Sequence, residues 1–561
     1  MKRKIIALTV SLMIAGSLVA CGGNTGSKEN NEEGKKETAE YAAPEKSDPN
    51  KWNFDEMQKV SYCKVLNVDE ASQLLEGQTS ADNDVHDYIR EKYNIELEEA
   101  WTAGEVDYEQ QLALHIASGD LPDLIYVNDY SLYKQLIDTQ MVQPITEAFA
   151  KQCSDKLLAI NEASGGEVLK TGSVDGELWG VPAGLDADQF DVLWLRKDWL
   201  EKLNMEEPKT LEELEEVLKA FTYNDPDGNG KQDTCGLAVN ATNIITPQGV
   251  NYGLNQLFHN MGVYPDSWLL DEEGHVYNGS TDEKMKDALT VLNRWYTEGY
   301  IDQEFISRTG EGQVEGLISS GKVGAFYGQW WSIPRDQGVL DADWVPVAAP
   351  LNEKGKYSYM RTDTWSDCIM VNAECKNPEA AIAALAISVD IGMDVDHEGF
   401  QIACDANNGE SNRNFYPYGV WTTGAGDMIN ITNAILEQID TGSYTPYENI
   451  GEYDKLEIQR AAGFADGSER TPDAAWSYYG RALAYPLIKS GIGEGTTACW
   501  YWETESSPTI NTILDSSFNE TVLKIITGQA EVSEYDTFIS QWHTLGGDTL
   551  ISEIETELGI E

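Results

Sequence analysis

The chain's 561 residues are enough for two or more domains with substantial cores, and its 41% hydrophobic content is that of a globular protein. A formal charge of −56, from 95 acidic against 39 basic residues, repels nucleic acid and anionic lipid headgroups. It also argues against an anionic ligand, unless a local basic pocket overrides the average.

Lys2, Arg3 and Lys4 precede an almost unbroken apolar run from Ile5 to Ala20, the layout of a secretory signal peptide. The run is short for a membrane span, which takes about 20 residues. Its ending, Leu18, Val19, Ala20 and Cys21 before Gly22, resembles the lipobox of bacterial lipoproteins, in which the chain is cut before the cysteine and the sulfur takes a diacylglycerol. That resemblance implies removal of residues 1–20 and a lipid anchor at Cys21, on the extracytoplasmic face of the cell membrane. Residues 21–58 are then expected to be a flexible tether, because Gly, Ser, Asn, Glu, Lys and Pro dominate them as far as about Lys51. Beyond Cys21, seven cysteines at irregular spacing (63, 153, 235, 368, 375, 404 and 499) read as buried thiols and not as a disulfide framework or a zinc site. A Cys368–Cys375 bridge would need two strand ends to meet.

Val60 to Val68 is apolar and strand-like and ends at Asp69. A helix fits Val85 to Tyr93, where Val85, Tyr88, Ile89 and Tyr93 share a face. Ile95 to Ala100 is a second strand, Tyr108 to Ser118 a second helix stopped by Gly119, and Leu124 to Val127 a third strand. Strands alternating with helices imply a parallel α/β sheet.

From Ala117 through Asp120, Pro122 and Asp123 to Val127, the chain resembles a stretch of the family 1 extracellular solute-binding proteins, which serve carbohydrate ABC importers. Further segments agree in order: Asp175 to Pro182, Leu193 to Leu200, Pro208 to Leu214 with Thr210 and Glu213 in capping-box positions, Ser320 to Gly328, Asn377 to Ala381, and Ile526 to Gly528. The resemblance covers roughly residues 60–545. It implies an α/β fold of the two-lobed periplasmic-binding-protein type (class II), with the ligand cleft between lobes joined by several chain crossings. By analogy, residues 59–190 with 358–405 form the first lobe, and residues 191–357 with 406–561 the second.

Asn224 to Thr234 carries oxygen-bearing residues at alternate positions around a glycine: Asp225, Asp227, Asn229, the Lys231 carbonyl and Asp233, with Gly230 at the turn. That spacing suits a structural Ca2+ ion. Gly236 stands where an EF-hand has its bidentate Glu, so water or a distant carboxylate would complete the shell.

In open parallel sheets, ligands gather beyond the carboxyl ends of the strands. That rule selects Asp69, then Asn128, Asp129 and Tyr130, then Asp186 and Asp188, then Trp330 and Trp331 after the Val323 to Tyr327 strand, and Trp365 before the Cys368 to Val371 strand. Carboxylates and amides suit sugar hydroxyls, and Trp and Tyr faces suit the apolar side of a sugar ring. The family's aromatic stacker falls in the Gly328 to Trp331 segment. The sequence thus reads as a non-catalytic, membrane-tethered, monomeric receptor that passes an oligosaccharide to the permease subunits of an ABC importer. A peptide receptor of the same fold is one alternative. A lipid-anchored glycoside hydrolase or lyase with paired carboxylates is another. No nucleophile elbow, zinc-protease helix or P-loop is present.

Overall fold

The computed structural model describes residues 41, 43–44, 52–66, 74–163, 167–184, 188–242, 244–245, 251–362, 365–393, 397–406, 413–416, 425–447 and 452–560. The signal peptide, Cys21, Asp69, Asp186 and the side chain of Trp365 lie outside what is described. Residues Glu40–Glu561 cluster as one compact unit. Its start differs from expectation: Tyr41 and Trp52, inside the span read as tether, are buried against the first core, and Trp52 Nε1 donates to the Gln152 carbonyl at 3.0 Å. Two aromatic rings supply the apolar area that the surrounding polar residues lack.

The first strands and helices alternate as their periodicity predicts: β1 (Gln58–Leu66), α1 (Asp84–Tyr93), β2 (Ile95–Gly104), α2 (Glu105–Ser118), β3 (Leu124–Val127) and α3 (Tyr130–Asp138). Asn83 caps α1 by accepting from the His86 amide at 3.0 Å, and α2 stops at Gly119, whose φ of 72° lies in the left-handed region. A tight hairpin at Ser173–Val174 and Glu177–Leu178 turns through Asp175 and Gly176, both at positive φ. Next come β4 (Gly180–Gly184), β5 (Val192–Arg196), α4 (Leu211–Tyr223), β6 (Cys235–Leu237), β7 (Val323–Gly328), β8 (Trp344–Val347), β9 (Tyr357–Met360), β10 (Trp365–Val371) and α5 (Pro378–Met393). The capping box of α4 is present, with the Glu213 amide donating to Thr210 Oγ1 at 3.2 Å and the Thr210 amide to Glu213 Oε2 at 3.3 Å.

Two principal sheets result. The first has the order β2-β1-β3-β10-β4 and the second β8-β5-β7-β6. In the second, successive residues of β5 face opposite cores: Val192 and Trp194 enter one cluster, Leu193 and Leu195 the other. All five residues of β5 are buried, which is why it reads as a continuous apolar run and not as an alternation. The first sheet is likewise covered on both faces. Ile89, Phe149 and the wholly apolar stretch Ala380–Ala384 of α5 lie in one cluster, and Tyr108, Leu112, Tyr133 and Leu136 in another.

The first sheet is mixed and not parallel throughout. β1 runs parallel to β2 and β3, whereas β10 is antiparallel to both β3 and β4. The reason is connectivity: β10 enters the sheet at the end where β4 left it. Cys368 and Cys375 are not bridged to one another.

Candidate ligand site

The register fixes which strand ends meet. Gly184 pairs with Trp365 and Val127 with Cys368, so β3 ends, β4 leaves and β10 enters at one edge of the first sheet. In the second sheet Gly328 pairs with Val192 and Val347 with Leu193, so β5 begins and β7 and β8 end at one edge. Among the described residues, the chain leaves the first edge from β4 toward β5 and returns to it from β9 into β10, β9 itself pairing with Gly493–Thr496 in a separate two-stranded sheet. The Asn128 to Tyr130 segment and the Gln329 to Trp331 segment therefore both abut the crossings, as expected for a cleft between lobes.

The candidate side chains are not equally available. Asp129 Oδ1 accepts from the Leu132 amide at 2.7 Å and so caps α3. Asn128 Nδ2 donates to Glu109 at 3.1 Å, while its Oδ1 is buried without a partner. The Tyr130 ring stacks on Trp502, centroids 4.2 Å apart. Beside this stack is a cavity of about 680 Å³, a volume in the range of small-molecule sites, lined by Ser131 and Lys134 of α3 and by Trp500, Glu503 and Glu557 from the C-terminal region. Lys134 Nζ reaches Glu557 at 2.9 Å.

Asp188 is tied into the crossings. Its carboxylate takes Arg361 Nε at 2.7 Å and Nη2 at 3.1 Å, and the Tyr359 hydroxyl at 2.9 Å. Partial burial alone would raise its pKa, but the hydrogen bonds from Arg361 and Tyr359 outweigh that and hold it below the usual carboxylate range. Both crossings are thereby clasped together, and the oxygens that a sugar would need are already spent.

Trp330 and Trp331 diverge. The Trp330 ring packs against Trp476 and Tyr485, with the Arg481 guanidinium 5.2 Å from its centre. Its approach depends on Gly480, where an added Cβ would come within 2.8 Å of the Trp330 carbonyl oxygen. Trp331 is 43% exposed, and its carbonyl accepts from Trp476 Nε1 at 2.8 Å. The open indole in this loop is therefore Trp331.

Residues that sequence reasoning missed stand next to this loop. Gln329 Nε2 donates to Asp191 Oδ1 at 2.6 Å, and burial pushes the Asp191 carboxyl up to about 7. Asn240 and Asn251 are buried, and the Nδ2 of the one and the Oδ1 of the other have no partner among the described residues. A lone acid abutting the apolar run of β5 was the available signal for Asp191; the two asparagines gave none.

Within the Asp225 to Asp233 loop, Asn229 Nδ2 donates to Asp227 at 2.7 Å and to Asp233 at 2.9 Å, and the Gly230 backbone amide donates to Asp225 Oδ2 at 3.1 Å. Asp225 Oδ1 is buried with no partner. Lys322 Nζ pairs with Asp233 at 2.5 Å, so an ammonium partly offsets the loop's charge. Among the described residues, no three His, Cys, Asp or Glu side chains converge as a metal cluster.

Comparison with known proteins agrees with this architecture. The chain is 29% identical over 245 residues to the polygalacturonan/rhamnogalacturonan-binding protein YtcQ of Bacillus subtilis, covering 43% of this chain and 45% of that protein. It is 28% identical over 217 residues to the fructooligosaccharide ABC transporter substrate-binding protein FusA of Streptococcus pneumoniae, covering 36% and 39%. The matches thus span less than half the length of these relatives. A solute-binding protein from Bifidobacterium longum infantis, described as binding HMO and associated with an ABC transporter, superposes with a TM-score of 0.59 at 15% identity, over 90% of this chain and 98% of that one. The fold is accordingly the two-lobed one of solute-binding proteins. No helix among the described residues is long and apolar enough to cross a membrane. Residues 76–386, more than half of the chain, match the family profile, and the protein belongs to the bacterial extracellular solute-binding proteins.

Proposed function

We propose that this protein is a lipid-anchored receptor that closes its two lobes around an oligosaccharide and hands it, chemically unchanged, to the permease of an ABC importer. The observation that carries this reading is the exposed Trp331 indole, held at the crossing end of the second sheet in a family whose relatives include named polysaccharide and fructooligosaccharide binders. An indole held by its own backbone offers a flat apolar face without a large entropic cost on binding. Unpartnered amide atoms of Asn240 and Asn251, and the polar cavity beside Tyr130 and Trp502, supply groups that match sugar hydroxyls. Closure follows because only the closed form lets both lobes contact one ligand, and binding shifts the population toward it.

The anchor is Cys21, which lies outside the described residues. The Asp225 to Asp233 loop fits a structural Ca2+: its hard oxygens bend around Gly230, and the orphaned Asp225 Oδ1 is a ligand position awaiting a partner. Asp225, Asp227, Asn229, the Lys231 carbonyl and Asp233 would hold the ion, which would pin a loop of the second lobe.

Calorimetric titration of the mature protein with a glycan panel, followed by product analysis, tests the reading. Saturable binding of a saccharide recovered intact is the expected result. Cleavage of the saccharide would favour a hydrolase, and binding of peptides in its place would favour the peptide-receptor alternative.

A further inference from the structure

The loop that presents Trp331 also presents a guanidinium with no ion-pair partner among the described residues. Arg335 is exposed, and its Cζ lies 3.6 Å from the centre of the Trp476 ring, the same indole whose Nε1 donates to the Trp331 carbonyl. Trp476 therefore links the two residues through one rigid, 7% exposed ring. Other arginines of this acid-rich chain are neutralised: Arg196 by Asp198, Arg294 by Glu215, Arg308 by Asp302, Arg361 by Asp188. Arg481, which also lies over Trp476 at 4.6 Å, is held by Glu457 at 2.9 Å. Arg335 has no carboxylate or carbonyl partner among the described residues. The neighbouring Asp336 is engaged elsewhere, its oxygens taken by the Ser319 hydroxyl and by the Gly338 amide at 2.8 Å.

Resting on the oligosaccharide reading above, we propose that the sugar carries carboxylate groups, and that Arg335 reads one of them while Trp331 stacks on a ring. A guanidinium whose centre sits 3.6 Å over an indole still has N–H donors to offer, and a carboxylate accepts from such a fork in bidentate fashion. The chain's charge of −56 does not forbid this. At physiological ionic strength, charges more than about 8 Å away are largely screened, so the nearest unpaired cation decides.

The test is calorimetry on the full mature chain with trimers of galacturonate and of mannuronate, the methyl esters of each, and a neutral fructan trimer. A uronate should bind at least roughly tenfold tighter than its ester, a gap of about 1.4 kcal/mol. Arg335→Gln should abolish that gap with an unchanged melting temperature, and Arg335→Lys should restore part of it. An ester or the fructan binding as tightly as any uronate would overturn the carboxylate assignment and leave the sugar reading standing. Uronate affinity unchanged in Arg335→Gln would overturn the residue assignment. Binding by no saccharide would overturn the sugar reading, and this inference with it.

Discussion

Two stretches that both adjoin the lobe crossings use similar residues to opposite ends. In the crossings themselves, Asp188, Arg361 and Tyr359 satisfy one another, so their polarity is structural. In the loop after β7, Trp331 stands exposed and Arg335 has no ion-pair partner among the described residues. The same contrast separates Trp330 from Trp331, one residue apart. The lesson is that polarity or aromaticity at a strand end says little about ligand contact until the neighbours have taken their share.

Breaking the buried side of that contrast should give the largest effect. Trp330→Ala is expected to cost roughly 3–5 kcal/mol of stability in denaturant titration, because it empties the space between Trp476, Tyr485 and Arg481. A variant as stable as wild type would mean that Trp330 is not a packing residue. Next comes Asp191. Its folded pKa of about 7 lies above an unfolded value of about 3.9, so the fold is free of this cost below about pH 4 and bears it fully above about pH 7. The stability of Asp191→Asn relative to wild type should therefore rise by roughly 3 kcal/mol between about pH 5 and pH 8. Unfolding at both pH values checks this, and a constant difference would show that Asp191 does not titrate there.

On the open side, Trp331→Ala should leave the melting temperature nearly unchanged while weakening saccharide binding about tenfold, the worth of one stacking contact. Equal affinity would remove Trp331 from the site. Asp188→Asn should cost less than about 1 kcal/mol, because the Asp188 and Arg361 side chains are 53% and 39% exposed. Since Asp188 is held below its unfolded pKa, its contribution is present above about pH 4 and fades as pH falls further, so the variant and wild type should converge in acid. The smallest shift should come from chelation: removing a bound Ca2+ with EDTA is expected to lower the melting temperature by a few degrees, and no change would refute the metal assignment.

Much of the fold was legible. The capping box at Thr210 and Glu213 and the Gly119 stop appear where capping chemistry placed them, and β5 overlaps the Leu193 to Leu200 stretch that carried part of the family resemblance. The direction of β10 was not legible, because an apolar run reads the same whichever way it enters a sheet. Among candidate site residues, strand-end reasoning could not tell Asp129, spent on capping α3, from a free carboxylate. It overlooked Arg335, whose significance lies in the absence of a partner and not in any motif.

The sequence by itself determined the local elements, the alternate oxygens of the Asp225 to Asp233 loop and membership of a two-lobed family. These depend on interactions within a few residues, or on patterns kept in order along the chain. Only the tertiary structure decided that Asp188 meets Arg361, 173 positions away, and that Gly480 makes room for Trp330 while Trp331 stays open. Those outcomes turn on which distant side chains compete for the same hydrogen bonds and space, and that competition has no signature in local spacing.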